Sequence, residues 1–86
     1  MTAEDYGTAD LLECAVLELH GITPVRHEIN PRGKFVFVFE GSELLHSVLT
    51  DFNRGLLTVN AKMLTLLYRD YLARTRRLTV ASEARA

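Results

Sequence analysis

The chain has 86 residues, of which 48% are hydrophobic and 24% are charged, and its formal net charge is -1. This composition is typical of one soluble globular domain and excludes a disordered chain, a membrane span of about 18 apolar residues and a disulfide framework, because Cys14 is the only cysteine. The acidic start lacks the apolar stretch of a secretory signal, which predicts a cytoplasmic protein. Residues 1–43 carry eight acids and three bases, whereas residues 44–86 carry three acids and seven bases, so the cations are concentrated in the second half.

The first predicted element is a helix that begins after a frayed segment, residues 1–7. Thr8 is its predicted N-cap, with Asp10 near the positive end of the helix dipole, and Gly21 follows its last residue, His20. Apolar residues at helical spacing predict one buried face, with Glu13 and Glu18 directed outward. The residues on the buried face are Leu11, Leu12, Ala15, Val16 and Leu19.

A β-hairpin follows, centred on the turn sequence Asn30-Pro31-Arg32-Gly33. A type I turn with a glycine bulge places Ile29 opposite Phe35 and His27 opposite Phe37. Because strand side chains alternate, the three phenylalanines of Lys34–Glu40 then share one face with Val25, His27 and Ile29. The opposite face carries Pro24, Arg26, Glu28, Val36, Val38 and Glu40.

Two further helices complete the predicted elements. Ser42 is the predicted N-cap of the second helix, whose buried stripe is Leu44, Leu45, Val48, Leu49 and Phe52 and which Gly55 ends. Leu56–Val59 is either a short third strand or an extended connector. Asn60 is the predicted cap of the last helix, which continues to Leu78 and is followed by a frayed end, residues 79–86.

These elements predict an α+β fold, a two-layer α-β-β-α-(short β)-α domain with an antiparallel hairpin packed on three helices. Residues 1–86 form a single domain in this prediction, with an ordered core over residues 8–78.

The order of several residues resembles a family of small bacterial and phage domains of unknown function. The similarity extends over residues 8–74 and implies a bacterial or phage origin, but it brings no activity and no functional residue. It consists of Thr8, Asp10 and Leu11, then Ala15, then Leu17 with Gly21, then a Phe-Val-Phe strand at Phe35–Phe37 or Phe37–Phe39, then Gly55, Leu57 and Val59, and finally Tyr68 with Arg69.

The sequence predicts no enzyme, cofactor or metal site. His20, His27, His46 and Cys14 lie on different elements, without the paired spacing of a zinc site. Ser42 and His46 are four residues apart on one helix, but no acid is placed to orient the histidine as a catalytic triad requires.

The predicted function is protein interaction, with Arg26, Val36 and Val38 as the candidate residues. A two-stranded ribbon is marginally stable, and its outer face is still partly apolar. We therefore expect another strand or another chain to pack against the ribbon. A second copy of the chain is one candidate, with the hairpins pairing edge to edge in a homodimer. The other is Leu57–Val59, as a third strand of the same chain.

An alternative function is nucleic-acid binding through the arginine-rich end of the last helix. The residues concerned are Arg69, Arg74, Arg76 and Arg77. Cations are also favourable at a helix C-terminus without any ligand, so this pattern is compatible with a solvated helix end as well.

Overall fold

The computed structural model describes residues 4–84, with side chains described as far as Thr79. The elements are strand β1 (Tyr6–Thr8), helix α1 (Leu11–Leu19), strands β2 (Arg26–Ile29) and β3 (Phe35–Phe39), and helices α2 (Glu43–Asn53) and α3 (Ala61–Ala84). The predicted α+β class is confirmed, but the first element in the described part of the chain is a strand, β1, that the sequence does not predict. Of the predicted frayed ends, residues 1–3 and 85–86 lie outside the described part of the chain.

The β2–β3 hairpin has the predicted register. His27 lies opposite Phe37 and Ile29 opposite Phe35, and the Asn30 N–H donates to the Lys34 carbonyl over 2.9 Å. The side chain of Asn30 also accepts from the N–H of Lys34, and Gly33 has a φ of +81°, the left-handed conformation that a glycine tolerates best. Local turn chemistry therefore determines the pairing of these strands.

The third strand of the sheet comes from the start of the chain. The strand order is β1-β3-β2, and β1 pairs antiparallel with β3, with Tyr6 opposite Phe39 and Thr8 opposite Phe37. The possibility that Leu57–Val59 supplies this strand is wrong, because these residues form no regular structure. They remain a connector, from which Leu57 packs against the core.

The N-cap of helix α1 lies two residues later than predicted. Asp10 is the N-cap, and its carboxylate accepts from the backbone N–H groups of Leu12 and Glu13 at 3.0 and 3.3 Å. Thr8 belongs to β1, and its hydroxyl accepts from the Asp10 N–H. The Thr8 cap prediction is therefore wrong. Both Thr8 and Asp10 are residues that can cap a helix, but Thr8 pairs with β3 as part of β1 and Asp10 caps the helix.

Helix α1 is the centre of the molecule and is buried on most sides. Its five consecutive residues from Glu13 to Leu17 are buried, whereas Leu12 is exposed. The predicted outward position of Glu13 and inward position of Leu12 are both wrong. The reason is that α1 packs against β1, α2 and α3, so no single apolar stripe describes its surroundings.

The other two helices have the predicted caps. The Ser42 hydroxyl accepts from the Leu45 N–H at 3.1 Å, and the Asn60 side chain accepts from the Met63 N–H at 3.0 Å. Helix α3 continues past Leu78 to Ala84, so residues 79–84 are helical rather than frayed. The buried core consists of Cys14, Ala15, Val16, Leu17, Phe37, Phe39, Leu45, Val48, Leu49 and Tyr71.

No helix in the described part of the chain is long and apolar enough to span a membrane.

Candidate interaction surface

The three residues predicted for interaction lie together on the sheet face that points away from the phenylalanine core. Arg26 lies opposite Val38, and Val38 lies opposite Gly7 on β1. The Arg26 guanidinium reaches the Asp5 carboxylate over 3.2 Å. Since β3 lies between β2 and β1, the Arg26 side chain crosses above β3 to make this contact, and Val38 is only 4% exposed.

The outer face is therefore partly covered by the chain itself. Val36 is half-buried and leans toward Gly7, where an added Cβ would meet its Cγ1 at 3.0 Å. Arg26 also holds Glu28 through an Nε–Oε1 hydrogen bond of 2.8 Å, and the hydrogen bonds to Glu28 and Asp5 raise the pKa of Arg26. Of the three predicted residues, Arg26 is the one that remains open to a partner.

The sheet has two outer edges, one on β1 and one on β2, and the β2 edge is the more exposed because Thr8 of β1 is buried. All four β2 residues are exposed, and no described strand pairs on that side. Backbone groups alternate in direction along an antiparallel strand. Because the Asn30 N–H points toward β3, those of Glu28 and Arg26 do too, and the backbone groups of His27 and Ile29 point outward.

An open cleft of about 350 Å³ runs beside this edge, between β2 and the second half of α3. Its apolar lining includes Phe37, whose ring meets the Tyr71 ring edge to face with centroids 5.1 Å apart. Val25 is 55% exposed at the cleft, and so is Ile29 on β2. The lining residues are Pro24, Val25, Arg26, His27, Phe37, Arg74, Arg77 and Leu78.

Arg74 is held by the protein rather than displayed to solvent. Its guanidinium makes hydrogen bonds of 2.6 and 3.0 Å to Asp70, lies 3.7 Å from Glu18 and stands 4.5 Å from the centre of the Tyr71 ring. Burial opposes the charge of Arg74, but the carboxylate of Asp70 outweighs it and the pKa of Arg74 is raised. This residue therefore acts as a structural link between α3 and α1.

The remaining three candidate arginines are exposed on α3. Arg69 and Arg76 are seven residues apart, so they lie on the same face of the helix two turns apart, and Lys62 lies seven residues before Arg69. Arg77 lies beside Arg76. Among residues 4–79, no carboxylate is within ion-pair distance of these four cations, which we call the basic stripe.

The buried titratable groups of the core serve packing. The Tyr6 hydroxyl donates to the buried Glu13 carboxylate, and burial followed by this hydrogen bond raises the pKa of Tyr6 to about 12. Burial likewise raises the pKa of the Cys14 thiol to about 12, which makes it a poor nucleophile. Burial also raises the pKa of Tyr71. Tyr6 lies on β1, Cys14 on α1 and Tyr71 on α3, and their raised pKa values keep all three groups protonated at neutral pH.

No cluster of three potential metal ligands occurs among the described residues. The Ser42 hydroxyl is occupied as a helix cap, and His46 is exposed on α2. Sequence reasoning missed two features of the surface, namely Lys62 of the basic stripe and the tether from Asp5 to Arg26. The seven-residue spacing from Lys62 to Arg69 could have indicated the position of Lys62. The contact between Asp5 and Arg26 could not be predicted, because it depends on the unpredicted strand β1.

The fold and these surfaces define a small α+β protein with three helices and a three-stranded antiparallel sheet whose most exposed edge is β2. The chain belongs to the family described as a domain of unknown function (DUF5659), which matches residues 3–81. This match confirms the similarity to a small uncharacterised domain family that the residue pattern indicated. No curated protein and no solved structure was found to match the chain.

Proposed function

We propose that the protein is a small, non-enzymatic interaction module of bacterial or phage origin that works in the cytoplasm and self-associates through the outer edge of β2. The observation that supports this proposal is the open edge itself. Its side chains are exposed, and the outward backbone groups of His27 and Ile29 have no partner among the described residues.

Edge pairing uses main-chain hydrogen bonds for affinity and the alternate side chains for specificity. Each hydrogen bond contributes about 0.5–1.5 kcal/mol net, and the apolar side chains of Val25 and Ile29 can lose their contact with water at the same time. An edge of four residues is short, so we expect an affinity in the micromolar range or weaker.

The test is self-association measured by sedimentation velocity, from micromolar concentrations to about 1 mM. We expect concentration-dependent association of the native chain, and a decrease of about tenfold or more in Ile29→Lys, because a lysine on an edge strand opposes pairing. Leu56→Lys is the matched control, since Leu56 is a similarly exposed apolar residue in the connector before α3. A monomer over the whole range, or equal association of both variants, would contradict the proposal.

The second candidate function is nucleic-acid binding through the basic stripe. Lys62, Arg69 and Arg76 extend along about 21 Å of α3, and they are free of the carboxylates that neutralise Arg74. A surface of this kind fits a phosphate backbone, without any feature that would read the bases.

The mobility of labelled DNA and RNA at about 50 mM salt tests this candidate, because phosphate contacts are strongest at low salt. If four cations contact phosphates, the slope of log K against log salt is about -3 to -4, and Arg69→Gln with Arg76→Gln lowers its magnitude by about 2. Arg54→Gln at the end of α2 is the control for lost charge. No retardation at low salt would eliminate this function.

A further inference from the structure

We infer that the strand that occupies the β2 edge is the β2 strand of a second copy, paired antiparallel with His27 opposite the second copy's His27. This inference rests on the proposed self-association and specifies which strand of the second copy pairs with β2 and in which direction and register. Two identical strands pair about a two-fold axis, so each contact between different residues occurs twice.

The direction of the backbone groups restricts the register. A hydrogen-bonded pair needs outward groups on both strands, and in β2 these belong to His27 and Ile29. Two registers meet this condition and keep three of the four strand residues paired. In the first, His27 meets His27 on the axis; in the second, His27 meets Ile29 and the axis passes through Glu28.

Charge distinguishes the two registers. With His27 on the axis, Arg26 of each chain lies opposite Glu28 of the other. Since Arg26 and Glu28 already pair within each chain at 2.8 Å, the four side chains form a square of alternating charge. With Glu28 on the axis, the two Glu28 carboxylates face each other, and like charges directly opposite are destabilising.

The opposite face of β2 favours the same register. With His27 on the axis, Ile29 of each chain extends toward Val25 of the other, just before the start of β2. The Val25 N–H donates to the Val38 carbonyl of its own chain at 2.8 Å, so the contact expected there is between side chains only. Val25 and Ile29 are both 55% exposed in the single chain, so each can cover the other's apolar surface. In the second register Ile29 faces His27 instead, and Val25 has no partner on the opposing strand.

Two charge reversals test the register by sedimentation velocity. Arg26→Glu and Glu28→Arg each make both cross-chain pairs repulsive, and we expect each variant alone to associate about tenfold or more weakly than the native chain. An equimolar mixture of the two variants restores opposite charges at both pairs, so association should recover as a heterodimer. The mixture does not restore the pair between Arg26 and Asp5 within the chain, and its recovery therefore reports contacts between chains.

Arg54→Glu, which makes the same charge change at an exposed residue at the end of α2, is the control and should associate like the native chain. A second measurement is oxidation of His27→Cys. Residues in a hydrogen-bonded pair have Cα atoms about 5.5 Å apart, within the range for a disulfide, so a linked dimer should form readily. Ile29→Cys, whose two copies lie far apart in this register, should not link, and Cys14 is buried in both variants.

The outcomes separate the inference from the proposed function. If the native chain associates and Ile29→Lys weakens it, but Arg26→Glu does not, the β2 edge is the interface and the register is wrong. If the two charge variants fail to recover on mixing, the facing of Arg26 and Glu28 is also refuted. A native chain that stays monomeric refutes both the register and the proposed self-association.

Discussion

Replacement of Phe37 by alanine is the most direct test of how the sheet is oriented. Phe37 lies on the central strand β3, is 3% exposed and packs its ring against Tyr71 of α3. The substitution removes a buried aromatic side chain and leaves a cavity beneath the sheet. Truncations of this kind cost about 3–5 kcal/mol, a large part of the total stability of a domain, about 5–15 kcal/mol.

Far-UV circular dichroism during urea unfolding is the suitable assay, because the chain contains no tryptophan. With a denaturant dependence of about 1–3 kcal/mol per molar urea, a loss of 3 kcal/mol lowers the midpoint by about 1 M or more. Measurements at low micromolar concentration, repeated at a second concentration, separate folding from association.

Phe35→Ala is the matched control for this experiment. It makes the same chemical change on the same strand, but Phe35 is only half-buried near the turn. Its truncation should therefore lower the free energy of unfolding clearly less than that of Phe37. A loss below about 1 kcal/mol for Phe37→Ala, or equal losses for the two variants, would mean that the assigned core face of β3 is incorrect.

Three further predictions concern Tyr6, Cys14 and Asn60. Tyr6→Phe leaves the buried Glu13 carboxylate without its hydrogen-bond donor. We expect the free energy of unfolding, measured by the same urea assay, to fall by about 1–3 kcal/mol. The pKa of Tyr6 is raised from 10.0 to about 12, so its contribution to folding stability is complete below pH 10 and is lost between pH 10 and 12. Over that interval the native chain should therefore lose more stability than Tyr6→Phe, which has no hydroxyl to titrate. The buried Cys14 thiol should react with a thiol reagent at about pH 8 at least about a hundredfold more slowly in the folded than in the unfolded chain, and rapid labelling would place it at the surface. Asn60→Ala should cost about 0.5–2 kcal/mol as a lost helix cap, and no change would show that α3 does not depend on this cap.

The hairpin and the caps of α2 and α3 could be predicted because their causes are local. The turn at Asn30–Gly33 determines the pairing over a few residues, and alternation then assigns Phe37 and Phe39 to the core. Ser42 and Asn60 act on backbone groups within one turn of themselves. Sequence alone contains each of these interactions in full.

Strand β1 and the surroundings of α1 could not be predicted because they depend on distant contacts. Three residues that include a glycine carry little strand signal, and β1 is stabilised by its pairing with β3, some 30 residues later in the sequence. For the same reason a charged residue such as Glu13 is assigned to solvent by any periodic pattern. It is buried because Tyr6, on the unpredicted strand, donates a hydrogen bond to it.

The position of β1 also changes where a partner can bind. A bare hairpin offers two edges and an apolar outer face, which makes Val36 and Val38 the natural candidates for contact. Once β1 occupies the free edge of β3 and the Arg26 side chain crosses over Val38 toward Asp5, the face is largely closed. Of the two outer edges, that of β2 is fully exposed whereas β1 has a buried Thr8, and the same Arg26 that covers the face also brings a charge to the β2 edge. Arg26 thus has two roles in this proposal: it covers the outer face of the sheet within one chain, and its charge would determine the register of the strand that pairs with β2.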